Sequence, residues 1–248
     1  GTDIEFKNVS FKYDDDFVLN DLSFKLSGGK TYALVGSSGG GKSTIAKLIS
    51  GFYKLDSGAI TIGGTALSDY SQEAVMRHIA FVFQNTKLFK TTIYENVRMG
   101  RPDATHEEVM NALSLAQCDE ILAKFPEREK TMIGSKGVHL SGGEVQRIAI
   151  ARAIVKDADV IILDEASASA DPENEYEIQR AFANLMKGKT VIMIAHRLSS
   201  IRNVDEILVV KDGKIIERGS NDALSAKEDG EYRKLLRLYD QANVWAVS

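Results

Sequence analysis

A glycine-rich stretch at residues 36–44, GSSGGGKST, carries the clearest chemistry in the sequence. It fits the pattern G-x-x-x-x-G-K-[ST], in which glycines let backbone N–H groups curl around phosphate oxygens. The Lys42 ammonium would reach the outer phosphates, and the Ser43 hydroxyl would ligate Mg²⁺. The apolar run TYALV before the loop and the helical pattern STIAKLISGF after it disfavour a merely flexible loop. The predicted phosphate-binding residues are Gly36, Ser37, Ser38, Gly39, Gly40, Gly41, Lys42, Ser43 and Thr44.

Two adjacent carboxylates, Asp164 and Glu165, follow the apolar run VIIL. Ligands of parallel sheets bind beyond the carboxyl ends of the strands, so this pair is placed where a phosphate would lie. Asp164 is predicted to hold Mg²⁺, directly or through water, and Glu165 to orient the attacking water or act as its base. Taken alone, the pair has even odds of being two solvated carboxylates; the phosphate loop favours the chemical role.

A second glycine-rich helix start lies at LSGGE, residues 140–144, ahead of the amphipathic run VQRIAIARAIV. Such a start presents free backbone N–H groups and the positive end of the helix dipole, which suits an anion. The residues alone do not explain why one chain of this size carries two phosphate-suited sites.

Three single residues are weaker candidates. His196 follows the apolar run VIMIA and is placed to donate a hydrogen bond to a terminal phosphate. Gln84 ends IAFVFQ and is placed to meet a metal or water, and Tyr13 is placed to stack on a purine. Taken singly, each is more often structural: a cap or packed histidine, a polar strand end, an edge-strand aromatic.

Apolar runs and amphipathic segments must position these groups. The runs TYALV, VIIL and TVIMIA indicate buried strands, and their alternation with helical patterns predicts an α/β core with a mostly parallel sheet. IEFKNVSFKY and VLNDLSFKL predict two further strands around the polar turn at 14–16. Hairpins are predicted to turn on Gly63-Gly64 and Asp212-Gly213.

Helical signals dominate from about Thr91 to Asp157. Thr105 and Glu108 form a capping-box pattern there. A later helix is predicted to be capped by Asp171 and to begin at proline, since proline suits the first helical position. Its apolar stripe ends before a glycine and comprises Ile178, Phe182, Leu185 and Met186.

Composition is that of an ordinary globular chain of 248 residues, with 44% hydrophobic and 27% charged residues. The net charge of −4 lacks the basic excess that is typical of nucleic-acid-binding proteins. The single cysteine, Cys118, excludes an internal disulfide. No secretory signal is recognisable, and no apolar run reaches the roughly 18 residues that a membrane span needs.

In their order, these motifs resemble the ATP-binding cassette (ABC) family: Tyr13, GSSGGGKST, Gln84, LSGGEVQRIAIARA, VIILDEA, Asp171 and His196. The resemblance covers essentially the whole chain. It implies an α/β fold: a P-loop NTPase core with a mostly parallel sheet, an N-terminal antiparallel β subdomain and a helical subdomain that carries LSGGE. Residues 1–248 would form one nucleotide-binding domain, with a helical subdomain at about 91–157 between 1–90 and 158–248.

The family resemblance also implies a mechanism with ATP and Mg²⁺ as ligands. Two domains would pair head to tail, so that each LSGGE helix closes on the γ-phosphate held by the other chain. Hydrolysis would then reopen the pair. The implied catalytic residues are Lys42, Gln84, Glu165 and His196, the metal ligands are Ser43, Gln84 and Asp164, and nucleotide contacts outside the loop come from Tyr13, Ser141, Gly142, Gly143 and Asp171.

Longer segments resemble the exporter-type half-transporter branch, notably VFQNTKLFKTTIYENV and IAHRLSSIRNVDEILVVKDGKIIERGS. That branch implies a transmembrane domain fused upstream, a second nucleotide-binding domain, identical or not, as partner, and a place at the cytoplasmic face of the cell membrane. DEASASADPENE further resembles a subgroup linked to siderophore handling. The sequence departs from the commoner family pattern at Ser135, Asn221 and SASAD. These departures bear on coupling to the transmembrane domain and not on nucleotide binding.

Two alternatives stay open on the residues. A soluble cassette protein acting on nucleic acid or the ribosome usually carries a second cassette, a long coiled coil or basic insertions, and none occurs in this sequence. A phosphoryl-transferring kinase would need an acceptor-binding lid and leaves LSGGE unexplained.

Overall fold

The computed structural model describes residues 2–37, 39–83, 86–134, 136–164 and 172–247, with the side chains of 172–173, 198–199 and 240–247 left aside. Within these ranges no helix combines the length and the apolar character needed to cross a bilayer. The strands are β1 Ile4–Tyr13, β2 Asp16–Leu26, β3 Thr31–Val35, β4 Ser57–Ile62, β5 Thr65–Ala66, β6 Ile79–Phe83, β7 Val160–Asp164, β8 Thr190–Ile194, β9 Glu206–Lys211 and β10 Lys214–Gly219. The α-helices are α1 Lys42–Leu48, α2 Gln72–His78, α3 Ile93–Arg98, α4 His106–Leu115, α5 Asp119–Ala123, α6 Gly142–Lys156, α7 Pro172–Met186, α8 Leu198–Ile201, α9 Asn221–Ser225 and α10 Glu231–Val247.

An antiparallel sheet in the order β2-β1-β4-β5 occupies the N-terminal part of the chain. Alternate residues of β1 and β2 face one core, where Phe6 stacks on Phe24 with ring centroids 4.5 Å apart. The two strands turn at residues 14–15, because Asp14 takes a φ of 54°, and β2 begins at Asp16. This start is two residues earlier than the apolar pattern indicated, because Asp16 and Phe17 still pair with Tyr13 and Lys12 of β1.

The second sheet has the order β10-β9-β3-β8-β7-β6, and all its strands are parallel except β10. Strands β3, β7 and β8 are almost entirely buried on both faces, as their continuous apolar runs predicted, whereas β10 alternates between exposed and half-buried residues. Parallel neighbours bring the carboxyl ends of β3, β8, β7 and β6 to one edge. The candidate site residues that follow these strands therefore share that edge.

Helices α3 to α6 occupy the chain between Ile93 and Lys156, and α6 packs against α3, α4 and α7. Buried residues of α6 such as Ile148 and Ile150 meet Val109 and Leu113 of α4 in one apolar cluster that continues under the parallel sheet. This packing fixes α6, and with it the LSGGE segment, relative to the sheet.

The local predictions from turns and caps are confirmed where the structure describes them. Both glycine-centred hairpins form, between β4 and β5 and between β9 and β10. Thr105 and Glu108 make the predicted capping box of α4, and α7 begins at Pro172. The helix after the phosphate loop is shorter than STIAKLISGF indicated: α1 ends at Leu48, and Gly51 then takes a φ of 76°, a common conformation just after a helix.

Candidate nucleotide-binding site

Gly36 and Gly41, in the loop between β3 and α1, have backbone conformations that favour glycine. Gly36 has a φ of 147°, and a Cβ there would lie 2.2 Å from the Val210 carbonyl oxygen of β9. Gly41 has a φ of 112° at the N-cap of α1, and a Cβ would lie 3.1 Å from Leu19 Cδ2. The loop is therefore pressed closely between the two sheets, as a phosphate cradle built from backbone requires.

This close approach makes Gly36→Ala a specific stability prediction. The methyl group would clash with a β9 carbonyl that is fixed by the sheet, so we expect a loss of at least about 2 kcal/mol in unfolding free energy. Gly29→Ala is the matched control, because Gly29 also has a positive φ of 78° but no neighbour within 4 Å; it should cost about 1–2 kcal/mol. Urea denaturation of the two variants measures the difference, and equal losses would contradict the close approach.

The first backbone N–H groups of α1 have no hydrogen-bond acceptor within the helix. Gly41 caps α1 without any side-chain hydrogen bond, and the first intrahelical bond runs from Ile45 N to Gly41 O, at 2.9 Å. The N–H groups of residues 42–44 thus have no acceptor inside the helix. The loop itself is fixed by the Gly213 N–H, which donates to Gly40 O at 2.9 Å. This arrangement of donors suits an anion at the N-terminus of α1.

Lys42 places its ammonium inside the loop. Its Nζ donates to Gly36 O at 2.5 Å, and the residue is buried. Burial lowers the pKa of Lys42, and the nearby Asp164 carboxylate partly opposes this shift. A buried cation enclosed by backbone donors is a strong centre for binding phosphate.

Asp164 and His196 meet at the same edge of the sheet. Asp164 ends β7 opposite Ile194 of β8, and His196 follows two residues after that partner. His196 Nε2 lies 3.3 Å from Asp164 Oδ1, with both side chains partly exposed. The structure thus brings together Lys42, Asp164 and His196, which lie far apart in the sequence. The prediction of a phosphate contact for His196 did not include this pairing with Asp164.

One predicted site residue, Tyr13, lies at the end of β1, and several others fall outside the residues that the structure describes. Tyr13 ends β1, is partly exposed and packs edge to face on Phe11, with centroids 4.8 Å apart. Its purine-stacking role stays a prediction. The remaining predicted positions, Ser38, Gln84, Glu165 and Asp171, fall outside the described residues. Ser135 and the SASAD segment at 167–171, where the sequence departs from the family pattern, also fall outside the described residues.

The LSGGE segment forms the first turn of α6, and a capping box closes it. Ser141 Oγ accepts from Glu144 N at 3.2 Å, while a Glu144 carboxylate oxygen accepts from Ser141 N at 3.0 Å. The S-x-x-E spacing at 141–144 carries the same capping-box signal as Thr105 and Glu108 of α4, a signal that the prediction of a glycine-rich helix start does not use. The box leaves the N–H groups of Gly142 and Gly143 without an intrahelical acceptor.

Asn174 of α7 packs directly on this turn. A Cβ at Gly143 would lie 2.7 Å from both Cβ and Cγ of Asn174, so only glycine fits there. Asn174 Oδ1 also accepts from Arg147 Nη2 at 2.8 Å, and Arg147 Nη1 donates to Gln117 O at 2.8 Å. Among the described residues, no hydrogen bond or ion pair joins 141–144 to 36–44. The two phosphate-suited sites are therefore supported by separate sets of neighbours.

The oxygen donors at the sheet edge suit a magnesium ion. Ser43 supplies a hydroxyl in the first turn of α1, and Asp164 supplies a carboxylate at the end of β7. Mg²⁺ is commonly held by one or two such protein oxygens together with substrate phosphates and water. The described part of the chain holds no cluster of three or more His, Cys, Asp or Glu side chains that could hold a metal ion.

The chain is similar to several known proteins over nearly its whole length. A family model described as "ABC transporter" matches residues 19–168, more than half of the chain. The chain is 44% identical over 237 residues to the ATP-dependent lipid A-core flippase of Legionella pneumophila (strain Paris), covering 95% of this chain and 40% of that protein. It is 46% identical over 239 residues to ATP-binding cassette sub-family B member 6 of Mus musculus, covering 96% of this chain and 28% of that protein.

Among solved structures, a bacterial Atm1-family ABC exporter with ATP bound matches with a TM-score of 0.86 and 38% identity, over 95% of this chain and 41% of that chain. The chain therefore belongs to the ABC transporter family and has the fold of its nucleotide-binding domain. It spans about two fifths or less of the length of these relatives. Membership of this family decides against the kinase alternative.

Proposed function

We propose that this chain binds ATP with Mg²⁺ at residues 36–44 and hydrolyses it, as the motor domain of an ABC exporter. The observation that carries the proposal is the buried Lys42 ammonium inside the glycine loop, beside Asp164 at the end of β7. Lys42 and the N–H groups at the start of α1 bind the phosphates, and His196 contacts the terminal one. Glu165 orients the attacking water and accepts its proton.

Magnesium fits this site through Ser43 and Asp164, with Gln84 as a third proposed ligand. When bound, Mg²⁺ neutralises charge on the phosphate oxygens. The backbone donors of the loop and Lys42 supply the remaining positive field, and they are fixed before the reaction begins. Tyr13 is proposed to stack on the adenine.

We further propose that two such domains pair head to tail around two ATP molecules. Ser141, Gly142 and Gly143 of each chain would then bind the γ-phosphate held by the other, with Asp171 at the contact. The separate surroundings of residues 36–44 and 141–144 support this arrangement. So does the open first turn of α6, whose two glycine N–H groups suit an anion.

The remaining proposals concern the whole transporter. A transmembrane domain fused upstream would account for the greater length of the relatives, and it would place this domain at the cytoplasmic face of the membrane. Within the chain, residues of about 91–157 would form a helical subdomain between 1–90 and 158–248. Transport is the proposed outcome of closing and reopening the domain pair.

Light scattering on the Glu165→Gln variant tests the head-to-tail pairing. We expect monomers without nucleotide and dimers with Mg-ATP, because the γ-phosphate contacts both chains and is not hydrolysed. Adding Ser141→Arg should prevent dimerisation while ATP still binds, because only the partner's phosphate meets the new side chain. Dimers that persist in the double variant would contradict the pairing. Loss of ATP binding would instead place both glycine-rich sites on one nucleotide in one chain.

A further inference from the structure

A carboxylate stands at the open end of the LSGGE helix. Glu144 is the third residue of α6 and is buried, with only 7% of its surface exposed. One carboxylate oxygen accepts from Ser141 N in the capping box. The charge is thus fixed within one helical turn of the free N–H groups of Gly142 and Gly143.

The negative charge of Glu144 opposes the proposed binding of a phosphate at the first turn of α6. A carboxylate near a helix N-terminus satisfies the positive end of the dipole and stabilises the helix. The same carboxylate repels an incoming phosphate and competes with it for that positive potential, and partial burial weakens solvent screening of the repulsion. An uncompensated Glu144 would therefore make α6 a poorer phosphate site than its backbone suggests.

Lys124 supplies the compensating charge. It follows α5 in the chain, and its Nζ forms an ion pair and hydrogen bond with the second carboxylate oxygen of Glu144. Burial raises the pKa of Glu144, but the hydrogen bonds and charge of Lys124 and the bonds from Ser141 outweigh it, so that the pKa lies below its ordinary value. The carboxylate is thus ionised and paired.

Arg147, a second cation near Glu144, forms its hydrogen bonds with other residues. Arg147 lies one turn further along α6, but its terminal nitrogens donate to Gln117 O and Asn174 Oδ1. The Lys124 side chain is about half exposed although its partner Glu144 is buried. Among the described residues, Lys124 is the cation that forms an ion pair with Glu144 and can offset its charge.

We propose that Lys124 is an electrostatic positioning residue for the LSGGE turn: by neutralising Glu144, it lets the first turn of α6 bind the terminal phosphate of a nucleotide held by a second copy of this chain. This inference rests on the proposed head-to-tail pairing and names a residue that tunes it. The capping box fixes the backbone conformation of the first turn of α6, and Lys124 neutralises the negative charge of Glu144 there.

The test compares ATP-driven dimerisation in the Glu165→Gln background. Light scattering gives the Mg-ATP concentration at which half of the chains are dimeric. We expect Lys124→Gln to raise this concentration roughly tenfold, about the effect of one partly buried charge. Lys124→Arg should behave like the background, because it keeps the positive charge. Lys7→Gln is the matched control, since Lys7 pairs with Glu5 on β1, away from α6.

The decisive variant combines Lys124→Gln with Glu144→Gln. Glutamine keeps the capping box but removes the charge. The double variant should therefore dimerise at the same ATP concentration as Glu144→Gln alone. Lys124→Gln should lower the melting temperature, because it leaves the buried Glu144 carboxylate without its partner, and adding Glu144→Gln should reverse this loss. ATP binding by the monomer should change little in the lysine variants when it is measured at a temperature where all of them are folded, which separates charge compensation from a purely structural role.

Two results would overturn the inference while leaving the proposed function standing: dimers that form equally well with Lys124→Gln, or a double variant that stays as weak as Lys124→Gln. Absence of any Mg-ATP-dependent dimer in the Glu165→Gln background would instead overturn the head-to-tail pairing itself, and this inference with it.

Discussion

We expect alanine in place of Lys42 to abolish ATP hydrolysis and to weaken ATP binding by about 10- to 100-fold, while the domain stays folded. The buried ammonium lies inside the loop, where its nearest described acceptor is Gly36 O. Its removal takes away charge-assisted hydrogen bonds to the phosphates, each worth about 1.5–3 kcal/mol. Folding loses little, because the buried ammonium is itself costly to desolvate, as its lowered pKa indicates.

Titration calorimetry with Mg-ATP, together with thermal melting, measures both halves of this expectation. Lys47→Ala is the matched control: Lys47 lies on the same short helix, but its side chain is exposed. The control should bind and hydrolyse ATP like the wild-type chain. Unchanged ATP affinity in Lys42→Ala would remove Lys42 from the site.

We expect glutamine in place of Glu165 to preserve ATP binding and to lower kcat by about 10²- to 10⁴-fold. The amide keeps the size of the side chain, but it can neither accept the proton of the attacking water nor supply a negative charge. The motivation is position: Glu165 directly follows Asp164, which ends β7 at the edge shared with Lys42 and His196.

A steady-state phosphate-release assay measures this loss. Glu120→Gln serves as the control, because Glu120 is an exposed residue of α5. KM should change far less than kcat, since the proposed role of Glu165 concerns the reacting water and not the binding of ATP. Turnover near the wild-type level in Glu165→Gln would assign the base role to another group.

The sequence predicted that Lys42, Asp164 and His196 lie at one edge of the sheet, for a physical reason. A glycine loop, a carboxylate and a histidine each followed an apolar run, and parallel strands bring such ends together. The spacing predicts glycine at 36 and 41, and the structure gives a physical reason for each: both have a positive φ, and a Cβ at Gly36 would clash with the Val210 carbonyl oxygen. The meeting of Asp164 with His196 followed from strand adjacency, but their direct contact needed the register of β7 and β8.

The support of the LSGGE turn was harder to predict. Lys124 and Glu144 are 20 positions apart, and Arg147 and Asn174 are 27 apart. No local periodicity links such pairs, because they depend on how α5, α6 and α7 pack. The capping box of Ser141 and Glu144 was within reach of the sequence, since its spacing is that of Thr105 and Glu108.

Helix and strand ends were displaced where local geometry outweighed the apolar pattern. The helix after the phosphate loop ends at Leu48, although the pattern continues to Phe52. Gly51 takes a positive φ, and Ser50 Oγ donates to Lys47 O at 2.5 Å, so the last turn closes early. Such ends depend on single backbone angles that an apolar period does not encode.

Release of inorganic phosphate from Mg-ATP by the purified chain, followed over a series of protein concentrations, tests the central claim most directly. The account predicts phosphate release without any acceptor, at a rate per chain that rises with protein concentration, because each complete site needs a second chain. The rate should vanish in Lys42→Ala prepared in the same way. A rate per chain that is constant with concentration, or equal in wild type and Lys42→Ala, would contradict it.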